Sequence, residues 1–229
     1  MVGVVLVGGG KGRRLGQNIP KAIVSVNGQR LFLFSLRSFS QIPAVREIVL
    51  VLPRRWVKAG RKWTTSWKRV KKVVAGGKER HQSVWKGIQQ LSSECEIVLI
   101  HDVARPLVSK ELIHRVIKGT RKYGACIPAL PITDTVKQVE GSRVKMTLDR
   151  EKLVAVQTPQ GFIRQILEKA YRLAFQRNWF GQDDAFLVEQ LSVPVSIIPG
   201  EEKNIKVTHP QDLALIKLLL PGKKAKPCK

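Results

Sequence analysis

Runs of apolar residues of strand length recur at 2–7, 46–52 and 97–100, and "KKVVAGG" at 71–77 adds a fourth. Segments with helical spacing of apolar positions lie between them. Such alternation predicts an α/β fold, a mainly parallel sheet with helices on both faces. The first run leads into Gly8-Gly9-Gly10, and "EIVLVLP" leads into a tryptophan-bearing helix. "VVAGGKERHQSV" leads into a helix through about Leu91, and "EIVLIHDVARP" ends in a polar cluster. In doubly wound sheets ligands bind at the carboxyl ends of the strands. The stretches Gly8–Arg14, Gly76–Ser83 and His101–Arg105 are therefore expected to converge on one crevice.

The pattern changes at 132–157, where two β-type segments flank Glu140-Gly141-Ser142. This reads as a hairpin, polar enough to leave the main sheet and to serve as a protruding β-hairpin dimerisation arm. Helical patterns resume at about 163–178 and 183–191, followed by a strand at 194–199 and a strand-like "NIKVT". A terminal helix "PQDLALIKLLL" follows, with Pro210 and Asp212 suited to its first turn. No internal repeat is present. The expected organisation is a single domain over 1–221 and a basic tail over 222–229.

Composition narrows the class. A chain of 229 residues with 43% hydrophobic content can bury a sizeable core. No stretch approaches the roughly 18 apolar residues of a membrane span, and the first residues lack a basic secretory n-region, so a cytoplasmic location and no membrane partner are expected. Cys95, Cys126 and Cys228 show no metal-site or redox spacing, which points to two core thiols and one tail thiol. The 41 Lys and Arg against 17 Asp and Glu give a net charge of +24, which attracts polyanions over long range. The densest basic stretch, 54–72, carries nine cations and no acid, interleaved with Trp56, Trp63 and Trp67. Cations with aromatics suit base stacking. The i, i+7, i+11 spacing instead places all three indoles on one face of a helix, as a packed stripe beneath a solvated cationic face. On this reading nucleic acid is not an expected partner.

Candidate chemistry concentrates in "VGGGKGRRLG". A P-loop requires Ser or Thr after Gly-Lys, and Gly12 stands there. A dinucleotide fingerprint starting at Gly8 or Gly10 would need glycine where Arg13 or Leu15 stands. What remains is a backbone able to curl around an anion, followed by arginines and Pro20-Lys21, which suits a polyphosphate. Motifs for zinc or serine hydrolysis are absent. His101 reads as a structural histidine and Asp102 as the site carboxylate, because neighbours in a strand face opposite sides. The other residues at the loop ends are cationic or hydroxylic: Arg13, Arg14, Lys21, Arg80, Ser83, Arg105, Arg150 and Lys206. That inventory suits phosphoryl or nucleotidyl transfer, where positioning and charge neutralisation supply most of the catalysis. A general base is unnecessary if the attacking group is a phosphate, which is mostly ionised at neutral pH.

"GGGKGRRLG…PK", "GGKERHQSV", "HDVARP", "ITDTVK", "LDR…VQTPQGF" and "NIKVTHPQDL" stand in the order and spacing of the 2-C-methyl-D-erythritol 4-phosphate cytidylyltransferases, which the chain resembles over about residues 2–220. The resemblance implies a Rossmann-like α/β fold and transfer of cytidylyl from CTP to a phosphorylated polyol, methylerythritol phosphate, in the non-mevalonate isoprenoid pathway. It implies release of pyrophosphate, Mg²⁺ held mainly by the CTP phosphates, and a homodimer formed through the arm. It further implies that Arg14, Lys21 and Lys206 act on the triphosphate, and that Gly8, Gly9, Gly10 and Gly12 wrap the nucleotide. Gly77, Arg80, Ser83 and Asp102 would bind the nucleotide, with Ser83 either reading the base or capping a helix. Asp102, Arg105, Thr135, Arg150 and Asp183 would bind the acceptor, Thr135 and Arg150 reaching from the arm into the partner's site.

The chain departs from the family pattern at Gly8 and Gly9, where alanines are common, and at Ala22, Lys78 and Gln182. Gln182 removes a hydroxyl expected near the acceptor phosphate. A ribitol 5-phosphate cytidylyltransferase shares the nucleotide motifs, and a nucleic-acid-binding protein on a nucleotidyltransferase scaffold is the alternative of another class.

Overall fold

The computed structural model describes residues 1–10 and 19–220; Gly12, Arg13 and Arg14 of the glycine loop, and the tail with Cys228, lie outside the described residues. Strands β1 (Val2–Val7), β4 (Val45–Leu52), β5 (Val70–Ala75) and β6 (Ile97–Asp102) form the parallel half of the sheet, ordered β5-β4-β1-β6, with β2 (Ser25–Val26) and β3 (Gln29–Arg30) pairing as a short ribbon outside it. Every residue of β1 is buried, as its unbroken apolar run requires of a strand covered on both faces. Register pairs Val4 with Ile48 on one side and Leu99 on the other.

Alternation along β1 assigns the two layers. Val2, Val4 and Leu6 join a core with Phe32, Leu36 and Phe39 of α1 (Leu31–Ser40) and with Leu112 and Val116 of α4 (Lys110–Tyr123). Val5 and Val7 face α3 (Arg80–Ile88), α5 (Arg164–Arg177) and α6 (Asp184–Glu189) in a second core. Helix α4 starts where the Ser109 hydroxyl accepts from Leu112 N at 2.9 Å and ends at Gly124, whose φ of 83° suits glycine. The expected α/β architecture, mostly parallel with helices on both faces, is present.

Three expectations need correction. The tryptophan helix is shorter than its spacing suggests: a 3-10 turn at Arg54–Trp56 leads into α2 (Val57–Thr64), and Trp67 lies past its end. The Thr64 hydroxyl donates back to Gly60 O, and successive turns at Trp67 and Val70 redirect the chain into β5. All three indoles still pack half-buried against the first core, and the Arg30 guanidinium sits 3.6 Å over the Trp63 ring.

Second, the sheet extends beyond its parallel half. Strand β7 (Ala125–Pro131) and the four-residue β11 (Gln160–Ile163) extend it, with β11 antiparallel between β6 and β7. Strand β10 (Val154–Val156) pairs antiparallel with β7, and β12 (Ser196–Pro199) pairs parallel with it. The excursion therefore spans 132–153 rather than 132–157. It is a hairpin of β8 (Lys137–Glu140) and β9 (Arg143–Thr147), turning at Gly141 with φ 58°. Every residue of both hairpin strands is exposed, Val139 and Val144 at 61% each.

Third, "NIKVT" forms no strand. It is hung from Asn204, which donates to Thr158 O at 2.8 Å, and from Val207 N–H, which donates to Ala104 O at 2.8 Å. Helix α7 (Pro210–Leu219) begins as expected, with Asp212 accepting from the Thr208 and His209 N–H groups. Among the described residues no helix is long and apolar enough to cross a membrane.

Candidate active site

The loops leaving β1, β5 and β6 continue the sheet's hydrogen bonding for one residue each. Gly8 N–H donates to Val51 O at 2.8 Å, Gly76 N–H to Leu52 O at 2.9 Å and Val103 N–H to Val7 O at 3.1 Å. They then diverge around a cavity of about 510 Å³. Its walls include Gly8, Gly9 and Gly10, Lys21, Gly77 and Ser83. Close approach favours the smallest residues here: a Cβ on Gly76 would lie 2.8 Å from Ser83 Oγ, nearer than the serine can accept without shifting, and one on Gly9 would lie 3.0 Å from it, a tighter fit that a small shift of the hydroxyl would relieve.

A second cavity of about 720 Å³ opens on the other side of Arg80, Asp102 and Lys206, which line both. These three residues form the partition. Arg80 Nε lies 3.2 Å from Asp102 Oδ1, and Lys206 Nζ lies 2.7 Å from Asp102 Oδ2. Burial pushes the Asp102 carboxyl up, but Arg80 and Lys206 outweigh it and hold the group well below the usual carboxylate range. The partition thus presents one ionised carboxylate gripped by two cations at a strand end.

Behind it lies a buried network. Arg80 Nη2 donates to Asp184 Oδ2 at 2.8 Å, and the Tyr171 hydroxyl donates to Asp184 Oδ1 at 2.5 Å. Gln160 accepts from Asp184 N and Ala185 N and donates to Asp183 Oδ2 at 2.7 Å. His101 is fully buried, with Nδ1 3.0 Å from Thr158 Oγ1 and Nε2 3.2 Å from Arg105 O. Burial pushes its imidazole down to about 3, so it is a neutral structural residue, as its strand position suggested.

The structure brings Gly8, Gly9, Gly10, Lys21, Gly77, Arg80, Ser83, Asp102 and Lys206 to the first cavity. Lys21 Nζ donates to Val207 O, tying the loop before β2 to the "NIKVT" segment. Arg105 and Asp183 line the second cavity. The Arg105 guanidinium is committed to Asn204 O at 2.7 Å and Val156 O at 3.2 Å, and Asp183 caps α6 by accepting from Phe186 N at 3.0 Å. Thr135 and Arg150 lie on the exposed arm and line neither cavity; Arg150 donates to Thr133 O.

Ser83 is not the helix cap, because Glu79 precedes the first turn of α3. The Ser83 hydroxyl accepts from Gly77 N–H at 3.0 Å and donates to Glu79 O at 3.1 Å, so its proton and that N–H are both engaged within the loop.

Asp184, Tyr171, Gln160 and Thr158 escaped the sequence reading. Asp184 stood beside Asp183 in "GQDDA", and an acid heading a helix reads as a cap; only the pairing across the chain reveals it as the buried partner of Arg80.

The family model for 2-C-methyl-D-erythritol 4-phosphate cytidylyltransferase matches residues 2–221. A protein of that name from Syntrophus aciditrophicus is 39% identical over 220 residues, covering 94% of each chain. One from Caldanaerobacter subterraneus is 36% identical, covering 96% of this chain and 98% of its own. Among solved structures, the 2-C-methyl-D-erythritol 4-phosphate cytidylyltransferase of Thermus thermophilus superimposes with a TM-score of 0.77 at 34% identity, covering 95% of this chain and 98% of that one. The 4-diphosphocytidyl-2C-methyl-D-erythritolsynthase of Anaerococcus prevotii gives a TM-score of 0.85 at 26% identity, covering 96% of this chain and 97% of that one.

Proposed function

Because the chain belongs to the 2-C-methyl-D-erythritol 4-phosphate cytidylyltransferase family, we propose that its two cavities hold the two substrates of cytidylyl transfer on either side of the Arg80–Asp102–Lys206 partition. The protein is a nucleotidyltransferase that joins CTP to 2-C-methyl-D-erythritol 4-phosphate, giving 4-diphosphocytidyl-2-C-methyl-D-erythritol and pyrophosphate. The observation that carries the arrangement is the shared partition itself, which puts the same cations within reach of both cavities.

In this account an oxygen of the acceptor phosphate attacks the α-phosphorus of CTP, a new P–O bond forms, and the bond to the β-phosphate oxygen breaks. The acceptor phosphate is already ionised, so no side chain needs to remove a proton. The chain's task is to hold the two anions in line and to offset their charge. Gly8, Gly9, Gly10 and Gly77 admit the nucleotide closely. Lys21 and Lys206, with Arg14 from outside the described residues, stabilise the triphosphate and the charge that develops during attack. Asp102 orients Lys206 and Arg80, and its remaining lone pairs accept from ligand hydroxyls. Arg105 and Asp183 shape the acceptor side, and Thr135 and Arg150 complete it from the arm of a second copy.

Magnesium fits this donor set as a cation carried on the triphosphate. Among the described residues no three His, Cys, Asp or Glu form a metal cluster, and Asp102 is already gripped by two cations. Mg²⁺ keeps phosphate and water ligands readily, and when bound it neutralises triphosphate charge. The free, buried thiols of Cys95 and Cys126 accord with a cytoplasmic location. The nucleic-acid reading loses its stacking platform, since Trp56, Trp63 and Trp67 pack inward.

The test is pyrophosphate release with Mg²⁺ and each of CTP, ATP, GTP and UTP, against methylerythritol phosphate and ribitol 5-phosphate in parallel. Release confined to CTP with methylerythritol phosphate supports the reading; a preference for ribitol 5-phosphate, or for a purine nucleotide, overturns it.

A further inference from the structure

We propose that Asp184 and Tyr171 are positioning residues that fix the Arg80 guanidinium at the partition before CTP arrives; the proposal rests on the nucleotide-binding role given to Arg80 above. Arg80 is the first residue of α3, and its side chain would otherwise be free to sweep the cavity mouth. Two carboxylates prevent this. Asp102 takes Nε at 3.2 Å and Asp184 takes Nη2 at 2.8 Å, so the planar guanidinium is held at two points and cannot rotate. Nη1 makes no hydrogen bond among the described residues and keeps its donors for a ligand anion.

Asp184 is itself held rigidly. It is fully buried, its Oδ1 accepts from the Tyr171 hydroxyl at 2.5 Å, and its backbone N–H donates to Gln160 Oε1 at 3.1 Å. Tyr171 is 1% exposed, and its ring stacks on Trp85 with centroids 5.6 Å apart and planes 11° from parallel. Trp85 belongs to α3, the helix that carries Arg80. The chain Tyr171 to Asp184 to Arg80 to Asp102 therefore runs from the second core to the substrate boundary with a hydrogen bond at each link. A buried carboxylate is costly unless paired, and here Oδ2 meets the Arg80 cation while Oδ1 is held by the Tyr171 hydroxyl. Freezing an arginine in advance removes from binding the rotamer entropy that ligation would otherwise cost.

The experiment measures CTP affinity by calorimetry with no acceptor present, so no turnover intervenes, for wild type, Tyr171→Phe, Arg80→Gln and the double variant. Thermal melts verify that each is folded. Tyr171→Phe keeps the ring stack and removes only the hydroxyl. Positioning through Arg80 predicts that it weakens CTP about fivefold, and that adding it to Arg80→Gln changes nothing further. If Arg80→Gln does not fold, Asp184→Asn replaces it: it must weaken CTP at least as much as Tyr171→Phe, and the pair must not be additive. Unchanged CTP affinity in folded Tyr171→Phe, or fully additive losses, overturns the proposal, because a merely structural tyrosine lowers the melting temperature alone. Wild type that binds CTP but does not transfer to methylerythritol phosphate defeats the function above and leaves this affinity test standing. Wild type that does not bind CTP defeats both.

Discussion

Lys206 Nζ lies 2.7 Å from Asp102 Oδ2, and this ion pair closes the partition between the two cavities. The lysine reaches the strand end only because Asn204 and Val207 pin its segment to the chain on either side of it. Its side chain is 45% exposed, so removing it alters the site far more than the fold. Lys206→Met is expected to lower kcat/KM by about 100-fold, the usual scale for losing one transition-state charge donor, with a nearly unchanged melting temperature. Steady-state pyrophosphate release with a parallel melt checks this. A large drop in melting temperature with turnover per folded molecule unchanged would show the lysine to be structural.

Lys21→Ala is expected to abolish turnover while leaving the fold intact. Its amine donates to Val207 O, a contact between two segments that each have other anchors: Val207 N–H holds Ala104 O, and Ile23 N–H holds Pro20 O. Circular dichroism and the pyrophosphate assay together decide the matter, and near-normal activity in the folded variant would remove Lys21 from the mechanism.

Acid stability should carry the signature of His101. Burial pushes its imidazole from the ordinary 6.5 down to about 3, so the unfolded chain takes up a proton as pH falls through about 6.5 while the folded chain does not. The stability from neutral His101 is complete above that pH, and the folding equilibrium then falls up to about tenfold per pH unit. Asp102 works in a lower window: its folded carboxyl is depressed, so its contribution is present above its unfolded value near 3.8 and is lost below it. His81, also pushed down by burial, is only half-buried. Urea midpoints between about pH 6 and 5 should therefore fall in wild type and flatten in His101→Gln; parallel slopes would contradict the assignment.

Much of this site was legible from strand ends. The apolar runs of β1, β4 and β6 are buried on both faces or nearly so, which makes them continuous in sequence, whereas the edge strand β5 leaves Lys71 and Lys72 exposed; β1 and β5 lead into glycines at the cavity, and β6 ends in the "HDVARP" cluster. Strand β11 was hidden because four residues pairing antiparallel with β6 and β7 leave no periodicity to read. Trp67 misled because helical spacing persists past Thr64, where the chain has already turned. Asp184 and Tyr171 were invisible for a different reason: their meaning lies in pairing with Arg80, and Asp184 meets it across most of the second layer's sequence.

The arm offers a test of shared sites. Val139, Val144 and Met146 are exposed on β8 and β9 at 61%, 61% and 49%, an apolar surface suited to a second copy. Val139→Asp with Val144→Asp is expected to convert dimers to monomers by sedimentation and to lower activity. If Arg150 serves the partner's site, mixing inactive Lys21→Ala with inactive Arg150→Ala should restore about a quarter of wild-type activity, since half of randomly formed dimers carry one intact site of two. No recovery on mixing would place the arm's function within its own subunit or nowhere near the site.

Cytidylyl transfer can be followed atom by atom by ³¹P NMR of the protein with CTP, 2-C-methyl-D-erythritol 4-phosphate and Mg²⁺. The acceptor's phosphomonoester signal is expected to disappear as the paired signals of a diphosphodiester and the signal of pyrophosphate grow in equal amounts. Consumption of CTP to CMP and pyrophosphate with the acceptor signal unchanged would contradict transfer across the Arg80–Asp102–Lys206 partition.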